Sequence, residues 1–179
     1  MTAPAALRVL GAILATALAV GGCGGSDGGA PKVASKADFI KAGDAICLDR
    51  DRRSTKLVTD LGPDAELAQL SSELADIYAD AIARTQAIAL PPGAARAGAK
   101  KYVDSVVAQR RPVQRMKASA VKLGAAVSSK QVEAVKKAGQ ELQVNVNTVQ
   151  ALGNVADLNA RNYGFKKCGQ QSLGSNPIN

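Results

Sequence analysis

Three cysteines, Cys23, Cys47 and Cys168, are the residues of this chain best suited to covalent chemistry. A thiol can accept a lipid or pair with a second thiol as a disulfide. Histidine is absent from the sequence. Its absence excludes Ser-His-Asp and Cys-His nucleophilic sites, histidine general bases and histidine-ligated metal centres, including the di-iron site of ferritin-like bundles.

The first 22 residues have the pattern of an export signal. Arg8 is followed by an apolar run of twelve residues, from Val9 to Val20. A helix of that length spans roughly 18 Å, which is short of the ~30 Å hydrocarbon core of a bilayer. The run therefore predicts the hydrophobic region of a signal peptide, residues 1–22, and not a permanent membrane span.

Val20-Gly21-Gly22-Cys23 follows directly and resembles the bacterial lipobox, in which small residues precede an invariant cysteine. The resemblance implies that Cys23 is acylated and becomes the N-terminus of a lipoprotein on the extracytoplasmic face of the membrane. Glycine at the second lipobox position departs from the commoner alanine or serine. A plain secretory signal and an uncleaved anchor are the alternatives. Residues 23–35 are rich in glycine and predict a flexible tether.

Cys47 and Cys168 remain as a pair. An exported protein meets an oxidising environment, in which such a pair is expected to form a disulfide. Closing a loop of about 120 residues would stabilise the fold by roughly 4–5 kcal/mol in the chain-entropy model. A redox-active pair is the alternative, but the sequence has neither a Cys-x-x-Cys spacing nor a thioredoxin-like βαβ pattern.

Asp44, Asp49 and Asp51 form the only acidic group that suggests a metal site. A calcium loop needs a turn glycine and a terminal glutamate, whereas arginines alternate with these carboxylates. On a helix the same charges form i,i+3 and i,i+4 ion pairs. We therefore expect no metal here.

The most basic stretch of the chain is residues 109–117. Its cations predict contact with anionic lipid or a cell-wall polymer, or else they form a solvated helix face. Nucleic acid is not an expected partner, because no aromatic residues are interleaved with the cations and the protein is exported. The four basic residues are Arg110, Arg111, Arg115 and Lys117.

Amide side chains are frequent in the last third of the chain. They predict either a surface for a sugar or a protein partner, or the uncharged outer face of a long helix. The serines lack a G-x-S-x-G elbow, an S-x-x-K motif and a neighbouring base, so we expect neither an enzyme nor a cofactor. The amides are Gln140, Gln143, Asn145, Asn147, Gln150, Asn154, Asn159 and Asn162.

Four helical segments are predicted to position these residues. With two Phe, three Tyr and no Trp, the core is expected to consist of Ala, Val, Leu and Ile, which favours closely packed helices. Pro112 should kink the third segment near Arg111. The predicted segments run from the N-cap Ser35 to Leu61, from the N-cap Asp64 to the Leu90-Pro91-Pro92 break, from about Ala94 to Leu123, and from Ser128 or Ser129 to Gly164.

Apolar residues recur at 3-4 spacing along the segments, and the lines beginning at Leu67 and Val132 are predicted to face the core. Gly139 and Gly153 lie on the second of these lines. Each costs about 1 kcal/mol relative to alanine in a helix. We therefore expect another helix to approach closely at both glycines.

Helices of similar length joined by short turns predict an all-α fold, an up-down-up-down four-helix bundle over residues 36–170, followed by a disordered tail, residues 171–179. In this topology the start of the first helix and the end of the fourth lie at the same end of the bundle. The topology therefore brings Cys47 close to Cys168.

Two motifs carry a resemblance to a known group of proteins. Asp44-Ala45-Ile46-Cys47 and Tyr163-Gly164-Phe165-Lys166-Lys167-Cys168-Gly169 resemble the "DAIC" helix and the closing "YGxxxCG" of small secreted actinobacterial proteins and lipoproteins. The likeness covers most of residues 36–169. It implies a disulfide-tied helical domain of uncharacterised role, and it adds no catalytic residue.

Two functions from different classes are compatible with these features. The first is a non-catalytic, membrane-anchored interaction module of the cell envelope, and the formal net charge of +8 favours anionic neighbours for it. The alternative is a small-molecule or lipid carrier. A carrier requires an apolar pocket of a few hundred Å³ between the helices, whereas a solid core of Ala, Leu and Val favours the interaction module.

Overall fold

The computed structural model describes residues 35–62 and 66–169, in which five α-helices follow one another. The predicted signal peptide, Cys23, most of the tether and the tail, residues 171–179, lie outside the described residues. The helices are α1 (Lys36–Leu61), α2 (Leu67–Gln86), α3 (Ala95–Val107), α4 (Arg110–Ser128) and α5 (Val132–Tyr163).

The predicted N-cap of α1, Ser35, is confirmed, and the structure shows that it forms a capping box with Asp38. The N–H of Asp38 donates to Ser35 Oγ at 3.1 Å, and the N–H of Ser35 donates to Asp38 Oδ2 at 3.1 Å. The helix ends at Gly62, whose φ of 71° is strained for any L side chain. The predicted helix α2 is present, but its predicted N-cap was wrong: the N-cap residue is Glu66 and not Asp64, which lies outside the described residues.

The third predicted helix is divided into α3 and α4 at Ala108 and Gln109. Pro112 has no N–H to donate to the carbonyl of Ala108, and its ring would crowd that carbonyl in an unbroken helix. The N–H of Gln109 donates instead to the carbonyl of Val106 at 3.1 Å. The kink expected near Arg111 thus takes the form of a break slightly earlier in the chain.

With α3 and α4 forming one interrupted helix, the fold is the predicted four-helix bundle. The first helix packs on α2, α2 packs on α3 and α4, and these two pack on α5. Few backbone contacts join α1 to α5 along their lengths. The two helices are linked mainly through the segment that follows α5, and a cleft lies between them.

The core consists of two clusters. One fills the middle of the bundle and includes Tyr78, Val113, Met116 and Leu142. The other lies at the end where α1 begins and α5 ends, and it gathers nearly all the aromatic side chains of the described residues. The second cluster contains Phe39, Cys47, Ala99, Tyr102, Ala160, Tyr163, Phe165 and Cys168.

Two details of the predicted packing were wrong. Leu67 and Val132 are 60% and 77% exposed, because each begins its helix at a bundle end where no neighbour covers it. A Cβ added to Gly139 would meet nothing within 4 Å, and one on Gly153 would make only ordinary contact. Close approaches occur instead at Gly43, where a Cβ would clash with the Phe165 ring, and at Gly98, where a Cβ would lie 2.7 Å from the Tyr163 ring.

Candidate functional site

The predicted disulfide between Cys47 and Cys168 is confirmed, with the two Cα atoms 5.4 Å apart. Both residues are buried, at 6% and 1% exposure. Beside the disulfide, the ring of Phe39 packs in T-shaped geometry against the rings of Tyr102, Tyr163 and Phe165. This burial among aromatic rings supports a structural role for the pair.

Asp44 holds the segment that follows α5 against α1. Its carboxylate accepts the backbone N–H groups of Lys166, Lys167 and Cys168 at 3.1, 2.8 and 3.0 Å. These are charge-assisted hydrogen bonds, because three successive backbone N–H groups donate to one carboxylate. The aspartate of the "DAIC" motif thus serves closure of the fold.

The other two carboxylates of the acidic group have different partners. Asp49 accepts from Arg52 and Arg84 at 2.7 and 2.6 Å, and these hydrogen bonds, that of Arg84 first, lower its pKa. Asp51 pairs with Arg50 at 2.6 Å. Within the described part of the chain, no three potential ligands among His, Cys, Asp and Glu are grouped as a metal site would require.

A polar cleft lies between α1 and α5, with α2 and the α3–α4 break at its floor. Its enclosed part has a volume of about 40 Å³. Apolar side chains and the disulfide form one half of the lining, and polar residues form the other half. The polar lining residues are Arg50, Tyr78, Thr85, Tyr102, Gln109, Gln150, Asn154 and Asp157.

Arg50 is the principal cation of this polar cleft. Its Nε donates to Asp51 Oδ1 at 2.8 Å, and its guanidinium lies over the ring of Tyr78, 5.5 Å from the centroid. Burial raises the pKa of Tyr78 to about 12. On the α5 wall, burial also raises the pKa of Asp157, while Arg50 and Arg161 oppose that shift.

Several polar side chains of the cleft have no hydrogen-bond partner among the described residues. Tyr78 and Gln109 are buried, at 7% and 6% exposure, and neither side chain bonds to protein there. Gln150 and Asp157 are half-buried and Asn154 is exposed, and none of these three side chains forms a hydrogen bond with the described residues. Buried polar groups are usually paired with protein or water, so these side chains are available to a ligand that enters the cleft.

Only two lining residues of this cleft belong to a stretch that the sequence had marked as a candidate binding surface. Gln150 and Asn154 belong to the amide-rich stretch. Arg50, Gln109 and Asp157 were missed, although one signal exists: Arg50 follows Ile46 and Cys47 at helical spacing and so lies on the buried face of α1. A cation on that face requires a partner or a function.

The basic stretch of residues 109–117 is divided between two sides of α4. Arg110 donates to Gln86, and Lys117 pairs with Asp76 at 2.6 Å, so both contact α2. Arg115 lies on the side of α5, and Arg111 is exposed. The four cations do not form a single patch.

Arg115 lines an open groove between α4 and α5, which we call the basic groove. It has a volume of about 540 Å³. Asn145 donates to Ser119 Oγ at 2.9 Å within it, and Lys122 pairs with Glu141 at 3.1 Å. The lining residues are Arg115, Ala118, Ser119, Lys122, Lys137, Gln140, Glu141, Val144 and Asn145.

No protein-family model matches the chain, and neither a curated protein nor a solved structure does. Among the helices of residues 35–62 and 66–169, none combines the length and the apolarity that a bilayer crossing requires. The polar cleft and the basic groove are therefore assigned from the residues of this chain alone.

Proposed function

We propose that the protein is a lipid-anchored, extracytoplasmic module of the cell envelope that binds an anionic polymer without catalysis. The observation that carries this proposal is the positive charge of the basic groove. Three cations line it, Arg115, Lys122 and Lys137, and Glu141 is the one carboxylate in the lining.

Three features of the cysteines support export and membrane anchoring. Val20-Gly21-Gly22-Cys23 resembles the pattern that bacterial lipoproteins carry at their acylation site. The Cys47–Cys168 disulfide fits an oxidising compartment outside the cytoplasm. The resemblance of the two cysteine motifs to secreted actinobacterial proteins and lipoproteins supports the same location.

The shape of the groove favours a linear ligand. Arg115 and Lys122 are seven residues apart on one helix, which places them about 10 Å apart along its axis. Lys137 adds a cation from the opposite wall. Cations distributed along an open groove contact successive anionic units of a chain, and the overall charge of +8 attracts that chain over longer distances.

The position of the groove favours a polymer over the anchoring membrane. The chain leads back to Cys23 from Ser35, at the end of the bundle where α5 stops at Tyr163. Gln140 in the groove is roughly 35 Å from that end along α5. The cations therefore lie in the half of the bundle farther from the anchored end.

The test is binding of fluorescent inorganic polyphosphate to full-length protein in mild detergent, followed by anisotropy at increasing salt. We expect affinity that falls with salt and that drops about tenfold in the double variant R115E/K137E, as expected for losing two charged contacts. The matched control K41E/K101E changes net charge equally at exposed positions outside the groove.

Three results would contradict the proposal: equal losses in both double variants, no loss in R115E/K137E, or binding only to vesicles that contain anionic phospholipid. The last outcome would indicate that the basic groove binds anionic phospholipid and not a polymer.

The carrier alternative has less support. The enclosed part of the polar cleft, about 40 Å³, is far below the few hundred Å³ of a pocket for a lipid or drug-sized molecule.

A further inference from the structure

We propose that the polar cleft between α1 and α5 binds a hydroxyl-rich ligand, either a polyol or one edge of a sugar residue. This inference concerns residues that the basic groove does not use, and it stands independently of polymer binding there.

Two buried polar side chains of the cleft have no hydrogen-bond partner among the described residues. In a bundle core, a buried polar side chain normally finds a protein partner or is replaced by an apolar one. Here the side chains of Tyr78 and Gln109, at 7% and 6% exposure, converge on one cleft, and neither forms a hydrogen bond within the described residues. Neither side chain has a polar atom that is both fully buried and unpaired, so their polar ends remain accessible from the cleft, where a ligand can contact them.

Positive and negative groups are balanced in the lining of the cleft. Arg50 and Asp51 are joined at 2.6 Å and largely cancel each other. Asp157 lines the cleft from α5, so an anion that approached Arg50 would also meet this carboxylate. A cation near Asp157 would meet Arg50. A neutral ligand avoids both conflicts.

The lining of the cleft combines hydrogen-bond donors with hydrogen-bond acceptors. The guanidinium of Arg50 donates, the carboxylate of Asp157 accepts, and the amides of Gln109, Gln150 and Asn154 do both. A hydroxyl group also donates and accepts. Neighbouring hydroxyls of a polyol or a sugar therefore match this lining better than a ligand that only accepts.

The size of the cleft sets the part of the ligand that enters. About 10–15 Å³ of such volume accommodates one water-sized group, so the enclosed 40 Å³ admits roughly three. A hydroxymethyl group or a vicinal diol has that size. Gln150 and Asn154 line the same cleft on α5, where they can contact the remainder of the ligand.

The experiment is saturation-transfer NMR on full-length protein in a polyoxyethylene detergent, which contains no sugar. The probes are glycerol, ribitol, glucose and N-acetylglucosamine, with acetate, ethylamine and glycine as comparators. We expect saturation transfer to at least one hydroxyl-rich probe and to none of the comparators.

Matched variants locate the binding. Asn154→Ala should weaken it about tenfold, as expected for losing one or two hydrogen bonds, and Asp157→Asn should weaken it as well. Asn147→Ala is the control, since Asn147 is an exposed amide on the same helix that bonds only to Gln143. Polyphosphate binding should be unchanged in all three, which separates this site from the basic groove.

The inference is overturned if no hydroxyl-rich probe receives saturation, if acetate, ethylamine or glycine does so instead, or if Asn147→Ala weakens binding as much as Asn154→Ala. Unchanged circular dichroism in each variant verifies that the fold is intact.

Discussion

The carboxylate of Asp44 accepts the backbone N–H of Cys168 at 3.0 Å, although 124 residues separate the two. The disulfide joins the same Cys168 to Cys47, one turn further along α1. A covalent bond and a charged hydrogen-bond network therefore hold the same closure. The two should contribute to stability separately.

Replacing Asp44 with asparagine should destabilise the domain by about 2 kcal/mol, because the amide presents one neutral acceptor where the carboxylate accepts three N–H groups. Urea unfolding followed by circular dichroism measures the loss. Asp60→Asn is the control, since exposed Asp60 pairs only with Lys56 and should lose under about 0.5 kcal/mol. Equal effects of the two substitutions would exclude the closing role of Asp44.

Replacing both Cys47 and Cys168 with alanine should lower the free energy of unfolding by roughly 2–5 kcal/mol, because the bond closes a loop with a sequence separation of 121. Helix content should persist, since Asp44 and the aromatic cluster still hold the end of the bundle. Denaturant unfolding and far-ultraviolet circular dichroism provide both values. Loss of most helical signal in native buffer would show that the network cannot close the fold alone.

Two glycines should respond oppositely to alanine. Gly98→Ala places a Cβ 2.7 Å from the ring of Tyr163 and should destabilise by about 1–3 kcal/mol. Gly139→Ala meets open space within α5 and should stabilise by up to about 1 kcal/mol through helix propensity. Thermal unfolding of the pair is the measurement, and a shift of the same sign in both would contradict the packing described for α3 and α5.

Alkaline pH should unfold the domain. Burial raises the pKa of Tyr78 and of Tyr102 to about 12, above the ordinary value near 10. A group with a raised folded-state pKa contributes stability that is complete below its unfolded pKa and disappears as the pH rises through its folded pKa. Stability should therefore fall between about pH 10 and 12.

Tyrosinate absorbance and circular dichroism, recorded together against pH, test this fall. Tyr78→Phe should reduce it, and it should change stability little at neutral pH because the Tyr78 hydroxyl has no protein partner in the described residues. Ionisation of all tyrosines near pH 10 with unchanged helicity would contradict the burial of both rings.

Cys23 should be the acylated N-terminus of the mature protein. Intact mass spectrometry of the chain expressed in a bacterium that processes lipoproteins should show loss of residues 1–22 and a diacylglyceryl adduct. Cys23→Ala should abolish the adduct and release the protein from membranes. An unmodified Cys23 in the mature protein would remove the anchor from the proposed function.

Features set by neighbouring residues in the chain were predicted well. Ser35 and Asp38 form their capping box from adjacent backbone, and Pro112 interrupts its own helix whatever surrounds it. The pairing of Cys47 with Cys168 followed from topology combined with the expected compartment. Local sequence contains the physical cause of each.

Features set by the rotation and the length of helices were predicted poorly. Close approaches fall at Gly43 and Gly98 and not at Gly139, because only the packed bundle determines which side chain faces each glycine. The polar cleft assembles Arg50, Gln109 and Asp157 from distant segments. No periodicity in one helix indicates that these three residues meet.

The disulfide also determines how mechanical load would travel through the domain. Tension applied at Ser35 can unravel about three turns of α1, from Lys36 to Cys47, before it reaches the covalent bond. Beyond that point the force passes through Cys168 into the end of α5, the helix that forms one wall of the basic groove. A pull between the tether and a polymer held in that groove would therefore bypass α2 and α3.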